Sequence, residues 1–154
     1  MKTANARLNV KILKADRADA PLLDEVIRRE FPYTEFSSEK IEERFNDPSF
    51  LVLKAVRGNS FTGFADTEFF SVVNEARMNA VYVEKLWRRK KIATKLVKEV
   101  LEECRARGVT RVFLLVKAEN GAAKLLYKKL DFKFEKMHDK EIEGSKVEVW
   151  SRKP

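Results

Sequence analysis

Arg88-Arg89-Lys90-Lys91-Ile92-Ala93 sets four cations between the apolar run Val81-Tyr82-Val83 and the start of a helical apolar stripe at Ile92. A strand that passes through a short polar turn into a helix ends at exposed backbone N–H groups and a partial positive charge. That junction is a natural seat for an anion. Farther on, Asn120-Gly121-Ala122-Ala123 opens a second, shorter helical segment that runs through Leu126-Tyr127 to Leu130-Asp131-Phe132. The two stretches together point to an enzyme that grips a pyrophosphate-bearing small molecule.

The elements that must position them are legible from periodicity. Leu8–Leu13 alternates as a first strand, and a helix follows with Pro21 in its first turn and Leu22, Leu23, Val26 and Ile27 on one face. Phe31-Pro32-Tyr33-Thr34-Glu35-Phe36 breaks it; Ser37 or Ser38 then caps a short helix carrying Ile41 and Phe45. Phe50–Val56 and Phe61–Phe70 read as strands joined through Arg57-Gly58-Asn59-Ser60, and Asn74-Glu75 turns the chain into a third, Ala76–Val83. The long helix spans Ile92–Arg107 with Ile92, Leu96, Val97, Val100, Leu101 and Cys104 on one stripe, closed by Gly108. Val109–Val116 reads as a strand buried on both faces, Ala122–Leu130 as a short helix, and Phe132–His138 with Lys146–Ser151 as a final hairpin around Glu143-Gly144. The order βααβββαβαββ predicts one α/β domain over residues 1–154: a mixed, mostly antiparallel sheet with helices on both faces.

Composition narrows the partners. The net charge is +8, yet between Glu84 and Lys98 seven basic residues face a single acid, while elsewhere the signs are mixed. A cluster confined to one loop–helix junction suits a compact phosphate ligand better than a long polyanion track, and it lacks the interleaved aromatics of a nucleic-acid binder apart from Trp87. The longest apolar runs are too short to cross a bilayer and the first residues carry no secretory apolar core, so a cytoplasmic protein that does not engage membranes is expected. One histidine, His138, and one cysteine, Cys104, offer neither a metal site nor a nucleophilic triad. Either a monomer or a homodimer is compatible with the chain.

At these residues the chain resembles the GNAT N-acetyltransferase superfamily. The family signature, Arg/Gln-x-x-Gly-x-Gly/Ala, aligns with Arg88 to Ala93. Its second motif matches Asn120, Ala123, Leu126, Tyr127 and Phe132. Three glycines that are frequent in the family are replaced here, by Arg89, Lys91 and Asp131. Glycine in the loop lets the backbone approach phosphate closely. A helix start needs no positive φ as such, so the substitutions are expected to be compatible with an ordinary helix N-terminus, with two side-chain cations added.

The resemblance implies acetyl-CoA as co-substrate. It assigns the backbone of Val81 and Val83 to the pantetheine arm and the amides of Arg89, Lys90, Lys91, Ile92, Ala93 and Thr94 to the pyrophosphate. Arg88 serves the loop, the ligand or both; Asn120 serves as cofactor contact and helix N-cap. The chemistry implied is amine attack on a thioester, which needs a neutral amine, a stabilised oxyanion and a proton for the departing thiolate. Tyr127 is the candidate donor of that proton, with a main-chain N–H near Val81 to Val83 for the oxyanion. Asp66, Glu68 and Glu75 are the candidate bases, with a water-mediated route that needs none left open. The acceptor implied is a primary amine: a protein N-terminus, a lysine or a small polyamine, drawn toward Glu35, Asp139, Glu141 and Glu143. A non-catalytic acyl-CoA sensor is the alternative reading.

Overall fold

Alternating and helical apolar periods along the chain assemble, in the computed structural model, into a single seven-stranded sheet flanked by four helices; residues 9–32 and 38–154 are described. The elements are β1 (Lys11–Lys14), α1 (Ala20–Glu30), α2 (Ser38–Phe45), β2 (Phe50–Arg57), β3 (Ser60–Phe70), β4 (Glu75–Val83), α3 (Ile92–Ala106), β5 (Arg111–Lys117), α4 (Gly121–Lys129), β6 (Lys133–Met137) and β7 (Val147–Arg152), in the order expected. Spatially the strands run β1-β2-β3-β4-β5-β7-β6, all antiparallel neighbours except the parallel pair β4–β5. None of the helices among the described residues is long and apolar enough to cross a membrane.

Each sheet face has its own core. On one, Leu51, Leu53, Ala65, Met78 and Val112 bury the α3 stripe Ile92, Leu96, Val97, Val100, Leu101 and Cys104. On the other, Val52, Phe64 and Tyr82 meet Leu23, Val26 and Ile27 of α1 and Ile41 of α2. Burial pushes the Cys104 thiol up to about 11, so it packs as a small hydrophobe and is no nucleophile at neutral pH.

Several expectations shift. β1 begins at Lys11, with Val10 and Ile12 turned to the core, while Leu8, Ser37 and Tyr33 to Phe36 lie outside the described residues. In α1, Leu22 is exposed because the buried row is Leu23, Val26 and Ile27 together with Ala20. β5 is not buried on both faces: Val112, Leu114 and Val116 are buried while Phe113 and Leu115 are half-buried. On that second face Phe113 is stacked on Phe70, and Leu115 faces a cavity described below.

Helix ends follow a common rule. Gly108 (φ 74°) closes α3: its N–H reaches the Arg105 carbonyl at 3.1 Å, and Val109 N–H reaches that of Cys104 at 2.9 Å. Asp131 (φ 65°) closes α4 in the same way, with its N–H on the Lys128 carbonyl at 3.1 Å and Phe132 N–H on that of Tyr127 at 3.0 Å. The position demands a left-handed residue, which costs an L side chain about 1 kcal/mol. Asp131→Gly is therefore expected to raise stability by about 1 kcal/mol in urea denaturation, an effect that an unstrained Asp131 would not give.

Candidate active site

The sheet opens at its centre. β4 pairs with β5 only from Glu75–Met78 against Arg111–Leu114, after which the two strands have no ladder between them. The register of β3 against β4 locates the cause: Asp66 faces Ala80 and Thr67 faces Met78, leaving Asn79 as an extra residue. Such a bulge kinks and over-twists its strand, and here it turns the rest of β4 away from β5. Glu84 N–H bonds the Thr62 carbonyl at 2.8 Å, so by the two-residue period Val81 and Val83 direct their main-chain groups away from β3, into the opening. Gly63 permits the close approach of β3 to β4 there, since a Cβ on it would stand 2.4 Å from the Tyr82 carbonyl oxygen.

At the far end of β4 a short 3-10 turn, Lys85–Trp87, packs Trp87 against the core and leads into the basic loop. Arg88 Nε donates to the Val83 carbonyl at 2.9 Å and its guanidinium lies near the Tyr82 ring, so this side chain braces the loop to the strand. Arg89 (φ 64°) and Lys91 (φ 62°) both adopt the left-handed conformation. This corrects the expectation that the helix start needs no positive φ. The chain keeps the tight turn that glycine favours, and it holds two bulky cations in it. Lys91 is the N-cap of α3 and its side chain makes no capping hydrogen bond; the first helical bond is Lys95 N–H to the Lys91 carbonyl at 3.1 Å. Ile92, Ala93 and Thr94 therefore present amides that the helix itself cannot satisfy. Arg89, Lys90 and Lys91 are exposed and, among the described residues, form no ion pair.

Asn120 is the N-cap of α4: its Oδ1 accepts from Ala123 N–H at 3.1 Å, which leaves its amide nitrogen as a donor. Tyr127, half-buried against the larger core cluster that also takes in Val81 and Val83, meets Phe132 edge-to-face at 5.8 Å between centroids. That contact joins the residues on either side of the α4 terminal turn, so the same turn that ends the helix fixes the tyrosine ring.

Below the opening lies a cavity of about 200 Å³ lined by Ile27, Phe31, Met78, Ala80, Leu115 and Ile142, with Arg44, Asp66, Arg77 and Asn79 as its polar members. Ile142 is held over it by a tight two-residue turn at Glu143 (φ 50°) and Gly144 (φ 77°), bridged by Ile142 and Ser145. The polar members form a chain. Arg44 pairs with Asp66, Asn79 Nδ2 lies 3.5 Å from Asp66 Oδ2, and Arg77 reaches Asn79 Oδ1 at 2.7 Å and Glu68 at 3.3 Å.

Of the three carboxylates read as candidate bases, only Asp66 lines this cavity, and it is 4% exposed rather than a solvated strand residue. Glu68 is tied to Arg77, and Glu75 sits at the other end of β4 on Arg111 at 2.9 Å. Asp139 and Glu141 are exposed, and Glu143 bonds Lys117 at 2.8 Å; none of these three lines the cavity, and Glu35 is outside the described residues. Arg44, Arg77, Asn79 and Ile142 carry no signal in the sequence, because a bulge at Asn79 and contacts across the sheet bring them together.

The chain matches the family model described as "Acetyltransferase (GNAT) family" over residues 20–132. No curated protein matches it in sequence. Among solved structures it is similar to the PaiA N-acetyltransferase of Thermoplasma acidophilum in complex with coenzyme A (TM-score 0.78, 22% identity, 95% of this chain and 99% of that one). It is also similar to NAA60 of Arabidopsis thaliana in complex with acetyl-CoA (0.81, 19%, 94% and 98%). A third is an N-acetyltransferase of Staphylococcus aureus Mu50 (0.81, 18%, 94% and 98%).

Proposed function

The chain belongs to the GNAT acetyltransferase family of acetyl-CoA-dependent enzymes, and from that premise we propose that it moves the acetyl group of acetyl-CoA to a primary amine by direct attack, both substrates being held together. One observation supports the reading: the main chain of Val81 and Val83 faces away from β3 beyond the last β4–β5 pair, and the chain leads from that strand through the basic loop into an α3 N-terminus whose N-cap side chain makes no capping bond.

Acetyl-CoA supplies the activated thioester. Val81 and Val83 bind its extended arm as an added strand would be bound, and a main-chain N–H in this stretch receives the developing oxyanion. The amides of Ile92, Ala93 and Thr94 take the pyrophosphate, with Arg89, Lys90 and Lys91 adding side-chain cations and Arg88 keeping the loop on the strand. Asn120 offers its amide nitrogen beside α4. Tyr127 gives a proton to the departing sulfur, a feasible transfer because a phenol near pKa 10 and a thiol near about 8.5 are closely matched.

The acceptor enters through the cavity. Its lining by Ile27, Phe31, Leu115 and Ile142 supports an amine on an apolar body, such as a protein N-terminus, over a lysine side chain or a polyamine whose extra charges would have to be desolvated there. The test is release of free thiol from acetyl-CoA with leucinamide, N-acetyl-lysinamide and spermidine. Leucinamide is expected to give the highest kcat/KM, by about 10-fold or more. Spermidine as the best acceptor would contradict the apolar-body reading, and no thiol release with any amine would contradict the enzyme itself.

A further inference from the structure

Resting on that reading of the cavity, we propose that Arg77 makes the enzyme selective for peptide N-termini with an acidic second residue, whose carboxylate it binds. Arg77 lines the cavity and keeps 37% of its side chain exposed. Its guanidinium is oriented from one edge: Nε donates to Asn79 Oδ1 at 2.7 Å and Nη2 to Glu68 Oε1 at 3.3 Å. The Phe70 ring lies beneath it, 5.6 Å from its central carbon. Nη1 has no hydrogen-bond partner among the described residues. It is also open to solvent, since the buried side-chain atoms without a partner among the described residues are Asp66 Oδ1 and Thr67 Oγ1. An accessible donor on a fixed cation is what a carboxylate needs.

A cross-strand pair of Arg77 with Glu68 would by itself be ordinary sheet surface. The second anchor sets this arginine apart. Asn79 is the bulge residue of β4 and lines the same cavity, so the bond to it turns the guanidinium along the strand toward the opening. The other charges leave that position to an acid. Asp66 is 4% exposed and paired with Arg44, and Glu68 does not line the cavity. Ile27, Phe31, Leu115 and Ile142 supply an apolar part that suits the first residue of a peptide.

Distance decides which carboxylate is meant. In the reading above the reacting amine lies beside Val81, where the thioester is held. Asn79, to which the guanidinium is bonded, precedes Val81 by two residues, about 7 Å along a strand. The α-carboxylate of a free amino acid is only about 3 Å from its own amine and falls short of this span. A side-chain carboxylate on the next residue starts from a Cα about 3.8 Å farther on and reaches it.

The experiment compares kcat/KM, read by thiol release, for Leu-Glu-amide, Leu-Gln-amide and free leucine. Glutamine keeps the shape of glutamate and removes the charge. Wild-type enzyme is expected to prefer Leu-Glu-amide over Leu-Gln-amide by about 10-fold, with the difference in KM. In Arg77→Gln the two peptides are expected to fall within about 2-fold of each other. Arg77→Lys keeps the charge but not the fork, so a preference of about 3-fold is expected, and it answers the question should the first variant not fold. Each readout is a ratio between acceptors on one enzyme, so a general loss of activity does not move it.

Equal use of the two peptides by the wild-type enzyme overturns the proposal. So does a preference that persists in Arg77→Gln, or one that stays at the wild-type value in Arg77→Lys. Free leucine used better than Leu-Glu-amide would put the bound carboxylate on the first residue and overturn the assignment to the second. None of these results touches the acetyltransferase reading, which fails only if the wild-type enzyme releases no thiol with any amine.

Discussion

Tyr127→Phe is expected to lower kcat by about 1000-fold while leaving acetyl-CoA affinity within about 2-fold. The reason for the split lies in how the ring is held. Tyr127 meets Phe132 edge-to-face at 5.8 Å and packs on the main core cluster. Its carbonyl accepts the Phe132 and Leu130 amides at 3.0 and 3.1 Å, bonds that any residue at this position supplies. Phenylalanine preserves these contacts and removes the hydroxyl. A thiolate then departs without a proton donor, so the loss falls on the chemical step. Pre-steady-state measurement of thiol release separates this from slow product release. Turnover equal to wild type removes Tyr127 from the mechanism.

Thr94→Glu is expected to weaken acetyl-CoA binding by more than about 100-fold and, at the same time, to stabilise the free protein by about 0.5 kcal/mol. The two effects have opposite signs and one cause. α3 carries no acidic residue in its first turn and no side-chain cap, so its N-terminal amides and partial positive charge are uncompensated. A carboxylate at the third helical position supplies what the helix lacks. It also places a negative charge where the proposed function seats the pyrophosphate, next to Arg89, Lys90 and Lys91, which the glutamate partly neutralises. Titration calorimetry and urea denaturation on the same sample read both quantities. Unchanged affinity would place the pyrophosphate elsewhere.

The parts of this architecture that depend on local pattern were legible from the residues alone. The α3 stripe from Ile92 to Cys104, the cap at Gly108 and the turn at Glu143-Gly144 are each set by periodicity or by a residue suited to positive φ, and all three appear in the fold. The family motifs located the loop and α4. What could not be read is the conformation of residues that contradict their own preference. Arg89, Lys91 and Asp131 sit in a left-handed backbone that a sequence argument from side-chain type assigns elsewhere. For two of them the packed surroundings act directly: Ile92 and Phe132, the next residues after Lys91 and Asp131, are each 1% exposed.

The cavity was illegible for a different reason. The Asn79 bulge inserts one residue into a strand of otherwise regular alternation, and period-two reading passes over it. Only once β4 turns at that point do Arg44 from α2, Asp66 from β3, Leu115 from β5 and Ile142 from the hairpin border one space. The same limit applies to β5, whose apolar run suggests two covered faces although the second is only half covered. Sequence composition fixes how apolar a strand is; the neighbours that cover it are decided by topology.

The clamp proposed for β4 and the start of α3 is tested most directly by recording amide ¹H–¹⁵N shifts of the labelled protein as acetyl-CoA is added. Saturable shifts concentrated at Ile92, Ala93 and Thr94 and at Val81 and Val83 are the predicted result. Saturable binding that moves other amides and leaves those five unchanged would contradict it.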